Sequence, residues 1–155
     1  MCFEEGRRLQ KSDSMAVKCY RMGASIGDTE ALIRLASCYE QGKGVEKDET
    51  QAFIYYTDAL EMCPHDKLTL LLPRLANCYH NGIGVDKDEE LAEMLDSAYN
   101  HLVKGEETQA MNLIEEAKSK IFIDYTVYIK YLVWAVVIML IIRVIYSLKI
   151  INVKK

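Results

Sequence analysis

A self-repeat with a spacing of 40 residues constrains the fold of this chain more than any other sequence feature. The segment Cys38-Tyr-Glu-Gln-Gly-Lys-Gly-Val45 matches Cys78-Tyr-His-Asn-Gly-Ile-Gly-Val85, and shorter matches flank both copies. At a spacing of 36, the segment from Cys2 to Gly6 matches the start of the same unit. Periods of this length are typical of solenoids, in which each unit is one supersecondary motif that stacks on the next.

The apolar residues within one unit predict two helices joined by a tight turn. In the segment from Ala31 to Tyr39, the apolar residues recur on one face of a helix. The second helix follows with Ala52 and Tyr56 four residues apart, again on one face. In the next copy Asp96 stands where Tyr56 is expected. Each unit is therefore predicted to be a helical hairpin.

The turn between the two helices has four predicted structural positions, and they occur in both copies of the 40-residue repeat, which makes eight residues. A glycine can take a positive φ and end the first helix. The Gly-x-Gly-Val link then reverses the chain with its valine under the hairpin, and an aspartate N-caps the second helix. Ser12 is expected to be the corresponding cap in the first unit, and Pro73 to begin or kink a helix. The eight residues are Gly42, Gly44, Val45, Asp48, Gly82, Gly84, Val85 and Asp88.

The unit as a whole resembles the Sel-one-like repeat (SLR), a relative of the tetratricopeptide repeat. The resemblance covers about residues 1–100 and rests on Leu35-Ala36-Ser-Cys-Tyr39-Glu-Gln-Gly42-Lys-Gly44-Val45, with Asp48, Ala52 and Tyr56 after it. It implies an all-α fold, an α-solenoid of antiparallel helix hairpins with about two and a half repeats. It also implies a non-enzymatic adaptor or scaffold, such as the partner of the membrane ubiquitin ligase in endoplasmic-reticulum-associated degradation.

The last part of the chain has a different composition from the repeats. Residues 1–120 carry 14 Lys and Arg against 22 Asp and Glu, whereas the remainder carries five against one. Between Tyr131 and Leu148 only Arg143 is charged. A helix of this length spans about 27 Å, close to a hydrocarbon core of about 30 Å. We predict a single-pass transmembrane helix with residues 131–148 in lipid, where Arg143 snorkels or contacts an acidic group on a partner's helix.

These patterns divide the chain into four predicted parts. They are an SLR domain at 1–104, a capping or linker helix at 105–120, a hydrophobic transmembrane helix at 121–149 and a short basic tail at 150–155. The N-terminus has no apolar run, so no secretory signal is expected and the repeats are predicted to be cytosolic.

No catalytic, cofactor-binding or metal site is predicted. The histidines His65, His80 and His101 are scattered and are expected at the surface. The acidic turn from Asp86 to Glu90 lacks the glycine and the distal glutamate of a calcium loop. The chain has five cysteines, an odd number, and the three at equivalent repeat positions, Cys2, Cys38 and Cys78, are read as small buried residues in a reducing compartment. The acidic repeat region argues against nucleic acid as a partner.

The favoured functional hypothesis is a membrane-anchored protein–protein interaction adaptor in endoplasmic-reticulum quality control. So few repeats are expected to stack on a protein partner or to self-associate. One alternative is a subunit or assembly factor of a mitochondrial membrane complex, with the endoplasmic reticulum preferred over the mitochondrion. The other is a soluble structural subunit whose apolar tail is buried in a complex. An enzyme would need convergent polar residues across the groove, and none is evident.

Overall fold

A computed structural model describes the backbone of residues 2–153 and the side chains of residues 12–122, 130–141 and 143. Over this range the chain forms six α-helices and one 3₁₀-helix, without a strand. The α-helices are α1 (Cys2–Ser25), α2 (Thr29–Gln41), α3 (Glu49–Glu61), α4 (Leu68–Asn81), α5 (Glu89–Lys104) and α6 (Glu107–Val153), and the 3₁₀-helix is His65–Lys67. The predicted all-helical, solenoid-like fold is confirmed.

The helices belong to two compact units, Met1–Lys118 and Ser119–Lys155. In the first unit, helices that follow each other in the chain also pack on each other, from α1 on α2 to α4 on α5. Because the connections are short, consecutive helices are antiparallel neighbours. The first helices of the two complete hairpins are α2 and α4, and the second helices are α3 and α5.

The core between the hairpins combines alanines with large aliphatic side chains. Ala36 and Ala76 occupy equivalent positions of α2 and α4, and Ala52 and Ala92 occupy equivalent positions of α3 and α5; all four are buried. A methyl side chain at these positions lets neighbouring helix backbones approach closely. The space that remains is filled by the largest buried side chains, which include Tyr56, Ile33, Leu35, Leu60, Leu71, Leu72, Leu75 and Leu95.

The first helix differs from the sequence expectation. Helix α1 runs without a break over Cys2–Ser25, so the turn expected after Gly6 and the N-cap expected at Ser12 are absent. Arg8 stands at the position of Gly44, so this link lacks its second glycine. Arginine, leucine, glutamine and lysine fill the link instead, and all four favour a helix. The incomplete turn sequence therefore continues as helix.

The segment before α4 holds the four residues by which the 40-residue spacing exceeds the 36-residue spacing. A shared carboxylate ties this insertion to α2. Lys67 Nζ donates to Glu30 Oε2 at 2.6 Å, and Arg34 Nη2 donates to Glu30 Oε1 at 2.7 Å. The hydrogen bonds from these two cations, first Lys67 and then Arg34, lower the pKa of Glu30 to about 2. Pro73 lies inside α4 rather than at its start.

Helix α6 is 47 residues long and continuous, so the predicted capping helix and the predicted hydrophobic helix are parts of one helix. Its first turns bury Ala110, Ile114 and Ala117. Among the residues with described side chains, no helix has a stretch that is long and apolar enough to cross a membrane. Of the predicted span at 131–148, the side chains of residues 142 and 144–148 lie outside the described residues, as do those of the basic tail.

Candidate functional site

The turn residues form the same hydrogen-bonded structure in both complete hairpins. Gly42 has a φ of 66°, ends α2, and donates its N–H to the carbonyl oxygen of Cys38. Asp48 caps α3, because its Oδ1 accepts from the N–H of Gln51 at 2.9 Å. An L-residue other than glycine would be strained at the φ of Gly42. The second hairpin repeats these features at Gly82, Cys78, Asp88 and Leu91.

The second glycine of each turn packs against the backbone of a helix in the preceding repeat. Gly44 has a φ of 73°, and a Cβ atom there would lie 2.5 Å from the carbonyl carbon of Asp13 in α1. Gly84 has a φ of 71°, and its Cβ would lie 2.5 Å from the carbonyl carbon of Glu49 in α3 and would overlap the oxygen. Both positions therefore need glycine for two reasons, the backbone conformation and the contact between repeats.

The remaining predicted positions are the two valines and Arg143. Val45 packs against the buried cluster of Val17, Leu35 and Cys38, and Val85 is half-buried. The four predicted residues from Gly42 to Asp48 thus lie together at the first hairpin turn, and the four from Gly82 to Asp88 lie together at the second. Arg143 is exposed on α6 and belongs to the second unit.

A polar bridge joins the two helices of each hairpin, and its chemistry changes between copies. In α2 and α3, the hydroxyl of Tyr56 donates to Glu40 Oε2 at 2.9 Å, and Tyr56 is buried. At the equivalent positions of α4 and α5, His80 Nε2 lies 2.9 Å from Asp96 Oδ2. His80 Nδ1 is also 2.9 Å from Glu89 Oε1. The hydrogen bond with Asp96 is the main cause of the raised pKa of His80; loss of solvent opposes it, and the contacts with Glu89 add to the increase.

Sequence reasoning missed this second bridge. It treated His80 as an isolated surface histidine and Asp96 as a departure from the repeat pattern. The sequence does contain a sign of this bridge. Glu40 is replaced by His80 and Tyr56 by Asp96, each 40 residues later, so both partners of the first bridge change together in the second copy. A paired exchange of this kind indicates contact, whereas either substitution alone does not.

A cleft of about 280 Å³ lies over α2, between α1 and α4. Three basic side chains, Arg34, Lys43 and Arg74, line it together with one acidic side chain, Asp13. Arg34 and Arg74 lie 40 residues apart and occupy equivalent positions of successive first helices. The other lining residues are Ala16, Tyr20, Ile33, Ser37, Cys38, Gln41 and Leu70. This cleft is a concave, chemically mixed part of the described surface built by three helices, and we take it as the candidate site.

The buried cysteines are not placed for reaction. Cys38 and Cys78 are buried and free, and burial raises the pKa of Cys78 to about 12, so its thiol stays protonated near neutral pH. The described side chains contain no group of three or more His, Cys, Asp and Glu that could hold a metal ion. Cys2 lies outside the described side chains.

The repeats match a known family over more than half of the chain. A family model described as the Sel1 repeat matches residues 1–28, 29–62 and 74–95, and the interval between the last two contains the insertion. No curated protein matches. Among solved structures, the chain is similar to a protective antigen of uropathogenic Escherichia coli that displays an SLR fold. The identity is 25% and the TM-score 0.48, over 69% of this chain and 25% of that chain, so this chain spans about a quarter of the other protein's length. With the repeat pattern, the helical hairpins and the family match in agreement, the chain belongs to the Sel1 repeat family.

Proposed function

We propose that the protein is an interaction scaffold whose repeat surface binds another protein. The observation that carries the proposal is the cleft over α2, which three helices of the stack build together. Sel1 repeats usually bind protein partners, and a surface made from several repeats presents spaced side chains along one groove. The polar bridges between the two helices of each hairpin help to hold this surface in shape.

The small number of repeats supports the same proposal. Solenoids need about three repeats for stability, because each hairpin buries its apolar face only against a neighbour. The described chain has two complete hairpins and the long helix α1 before them. A partner protein or a second copy of this chain would bury additional surface at an end of the stack and stabilise it.

The proposal includes attachment of the scaffold to a membrane through α6. Its support is the sequence from Tyr131 to Leu148, which contains one charge, and the exposure of every described side chain from Tyr131 to Ile141. Tyr131 and Met139, for example, are 73% and 72% exposed. An apolar surface this long requires lipid or another protein to cover it. Arg143 would then snorkel to the headgroups or contact an acidic group on a partner's helix.

The location at the endoplasmic reticulum, with the repeats in the cytosol, rests on the resemblance of the repeats to adaptors that act there. A mitochondrial membrane complex is the alternative location. A soluble complex that covers α6 with protein is the alternative to lipid. Imaging of the tagged full-length chain against markers of both organelles distinguishes the two locations.

Affinity purification of the full chain in mild detergent tests the interaction role. We expect a defined protein partner to co-purify with the native chain and to be lost when Gly44 and Gly84 are both replaced by valine, which breaks the stacking of the repeats. In a matched control, Gly105, whose Cβ position is open, is replaced by valine. This variant should retain the partner. Recovery of the native chain alone, as a stable monomer, would refute the proposal.

Extraction of membranes with alkaline carbonate tests the anchor separately. A spanning helix keeps the chain in the membrane pellet, and replacing Val137 and Leu140 with lysine should release it, because a lysine at mid-membrane costs about 2.5–3.5 kcal/mol. Release of the native chain into the supernatant would instead support the soluble complex.

A further inference from the structure

We propose that the cleft over α2 binds an acidic segment of a protein partner, with Arg74 as its main anchor. This inference rests on the interaction role proposed above and specifies the chemistry of the ligand. Four features support it, namely the charge of the cleft, the missing ion-pair partner of Arg74, the hydrogen-bonding capacity of that side chain, and the size of the cleft.

The charge of the cleft is opposite to that of the repeats around it. Its lining has three basic side chains and one acidic side chain, whereas residues 1–120 as a whole carry 14 basic and 22 acidic residues. The one lining carboxylate, that of Asp13, lies 3.8 Å from Lys43 Nζ, in an exposed and therefore weak pair. Because Glu30 pairs with Arg34 and Asp13 with Lys43, the excess positive charge that a ligand carboxylate meets in this cleft is that of Arg74.

The two arginines of the cleft differ in their ion pairs because the sequence differs one helical turn earlier. Arg34 pairs with Glu30, four residues before it, at 2.7 Å. The equivalent position before Arg74 is Leu70. Among the described side chains, no carboxylate lies within ion-pair distance of Arg74. The second repeat thus presents the same guanidinium without the carboxylate that neutralises it in the first.

Arg74 also keeps most of its hydrogen-bonding capacity. Its Nη1 lies 3.4 Å from Ser37 Oγ and 3.5 Å from the hydroxyl of Tyr56, at the long limit for hydrogen bonds. A guanidinium has five N–H donors in a planar fork that matches a carboxylate. Arg74 is half-buried, and partial burial strengthens its attraction for an anion relative to an exposed arginine. These weak contacts orient the side chain and leave donors for a ligand.

The size and setting of the cleft favour a short peptide segment over other anions. Its volume of about 280 Å³ lies below the roughly 300–1,000 Å³ of small-molecule pockets. It suits one or two side chains of an extended partner. Leu70, 38% exposed, adds an apolar contact beside Arg74. A nucleic acid would bring many phosphates close to an acidic surface, which is unfavourable. The cleft therefore fits a carboxylate next to an aliphatic side chain.

Fluorescence anisotropy with the full chain in detergent tests the inference. The probe is a fluorescein-labelled twelve-residue peptide of glutamate, leucine and serine, and its control peptide has glutamine at every glutamate. We expect the glutamate peptide to bind at least about tenfold more tightly than the glutamine peptide, which corresponds to about 1.4 kcal/mol. Added salt should weaken the binding. Equal affinities for the two peptides, or tighter binding of an RNA oligonucleotide, would overturn the proposal.

Two substitutions assign the binding to Arg74. Arg74→Gln should lower the affinity for the glutamate peptide about tenfold, whereas Lys87→Gln, which removes the same charge from an exposed turn, should leave it within about twofold. Leu70→Glu should also lower the affinity, because it supplies the carboxylate that Glu30 supplies to Arg34, and Leu70→Gln is its neutral control. Circular dichroism checks that each variant is folded. If Arg74→Gln and Leu70→Glu both bind like the native chain, Arg74 is not the anchor.

The outcomes separate this inference from the broader function. If a partner co-purifies with the native chain and with Arg74→Gln alike, and the glutamate peptide does not displace it, the scaffold role stands and the acidic-ligand inference is wrong. If the peptide binds with the expected dependence on Arg74 but the native chain has no partner, the cleft chemistry is correct and the scaffold role is wrong.

Discussion

Replacing Gly84 with alanine should destabilise the repeats far more than the same change at Gly105. Both glycines have a positive φ, 71° and 78°, so alanine is strained at either position. That strain amounts to about 1–2 kcal/mol. A Cβ at Gly105 meets nothing within 4 Å, whereas a Cβ at Gly84 lies 2.5 Å from the carbonyl carbon of Glu49. The pair of variants therefore isolates the steric contact between repeats from the backbone strain.

The steric contact adds a cost of its own because neither partner can yield easily. The atoms facing Gly84 are backbone atoms in the first turn of α3, so relief requires a shift of a helix rather than of a side chain. Overpacking of this kind costs typically about 1–3 kcal/mol. We expect Gly105→Ala to lower the free energy of unfolding by about 1 kcal/mol. Gly84→Ala should lower it by about 3 kcal/mol, a large share of the total for a small domain.

Urea unfolding of the full chain, followed by far-ultraviolet circular dichroism, measures both changes under one set of conditions. The native chain and the two variants should unfold with similar slopes and different midpoints. Equal destabilisation by the two substitutions would show that the contact between Gly84 and α3 contributes nothing, and would refute the steric argument.

Three further predictions concern the hairpins. Because Asp96 raises the pKa of His80, the bridge should stabilise the pair α4 and α5 fully at pH values below the unfolded pKa of about 6.5. This stabilisation should be lost as the pH rises through the higher pKa of the folded state, and the midpoint of urea unfolding at a series of pH values measures the change. Tyr56→Phe removes the buried hydrogen bond to Glu40 and should cost about 1 kcal/mol, measured by urea unfolding. Asp88→Ala removes the N-cap of α5 and should also cost about 1 kcal/mol, measured by thermal unfolding.

Each of these predictions has a matched control. His80→Gln should flatten the pH dependence, and an unchanged pH profile would contradict the bridge. Tyr55→Phe alters a neighbouring tyrosine that stacks on Tyr39 and lies outside the Tyr56–Glu40 bridge, so it should cost less than Tyr56→Phe. Asp86→Ala, in the same turn as Asp88, should leave stability nearly unchanged, and an equal loss would show that the cap is not responsible.

Local sequence patterns predicted the parts of the fold that depend on local chemistry. The position of Gly42 at the end of α2 and of Asp48 at the start of α3 follows from backbone preference and side-chain capping, which act within a few residues. The continuity of α1 through Ser12 was not predicted, because the first unit matches the repeat at Cys2 and Gly6 and departs from it only within the link. Arg8 in place of the second glycine, followed by Leu9, Gln10 and Lys11, favours a helix over the turn.

The candidate site was less predictable because it depends on contacts between repeats. The cleft arises where α1, α2 and α4 meet, and no sequence window contains all three. Arg34 and Arg74 could be found at equivalent positions from the spacing alone, and so could the exchange of Glu30 for Leu70. Whether these positions line a cleft depends on the direction of each side chain after the hairpins stack, which tertiary packing decides.

The glycine contacts at Gly44 and Gly84 have a consequence for how such an array could diversify. Adjacent hairpins meet there through main-chain atoms, so their separation is fixed by polypeptide geometry and not by the identity of any side chain. Residues that face solvent can then be exchanged without altering the pitch of the array. The residues that select a ligand are thereby different from those that set the spacing of the repeats. The side chains that line the cleft over α2 could be redesigned while both glycine turns are retained.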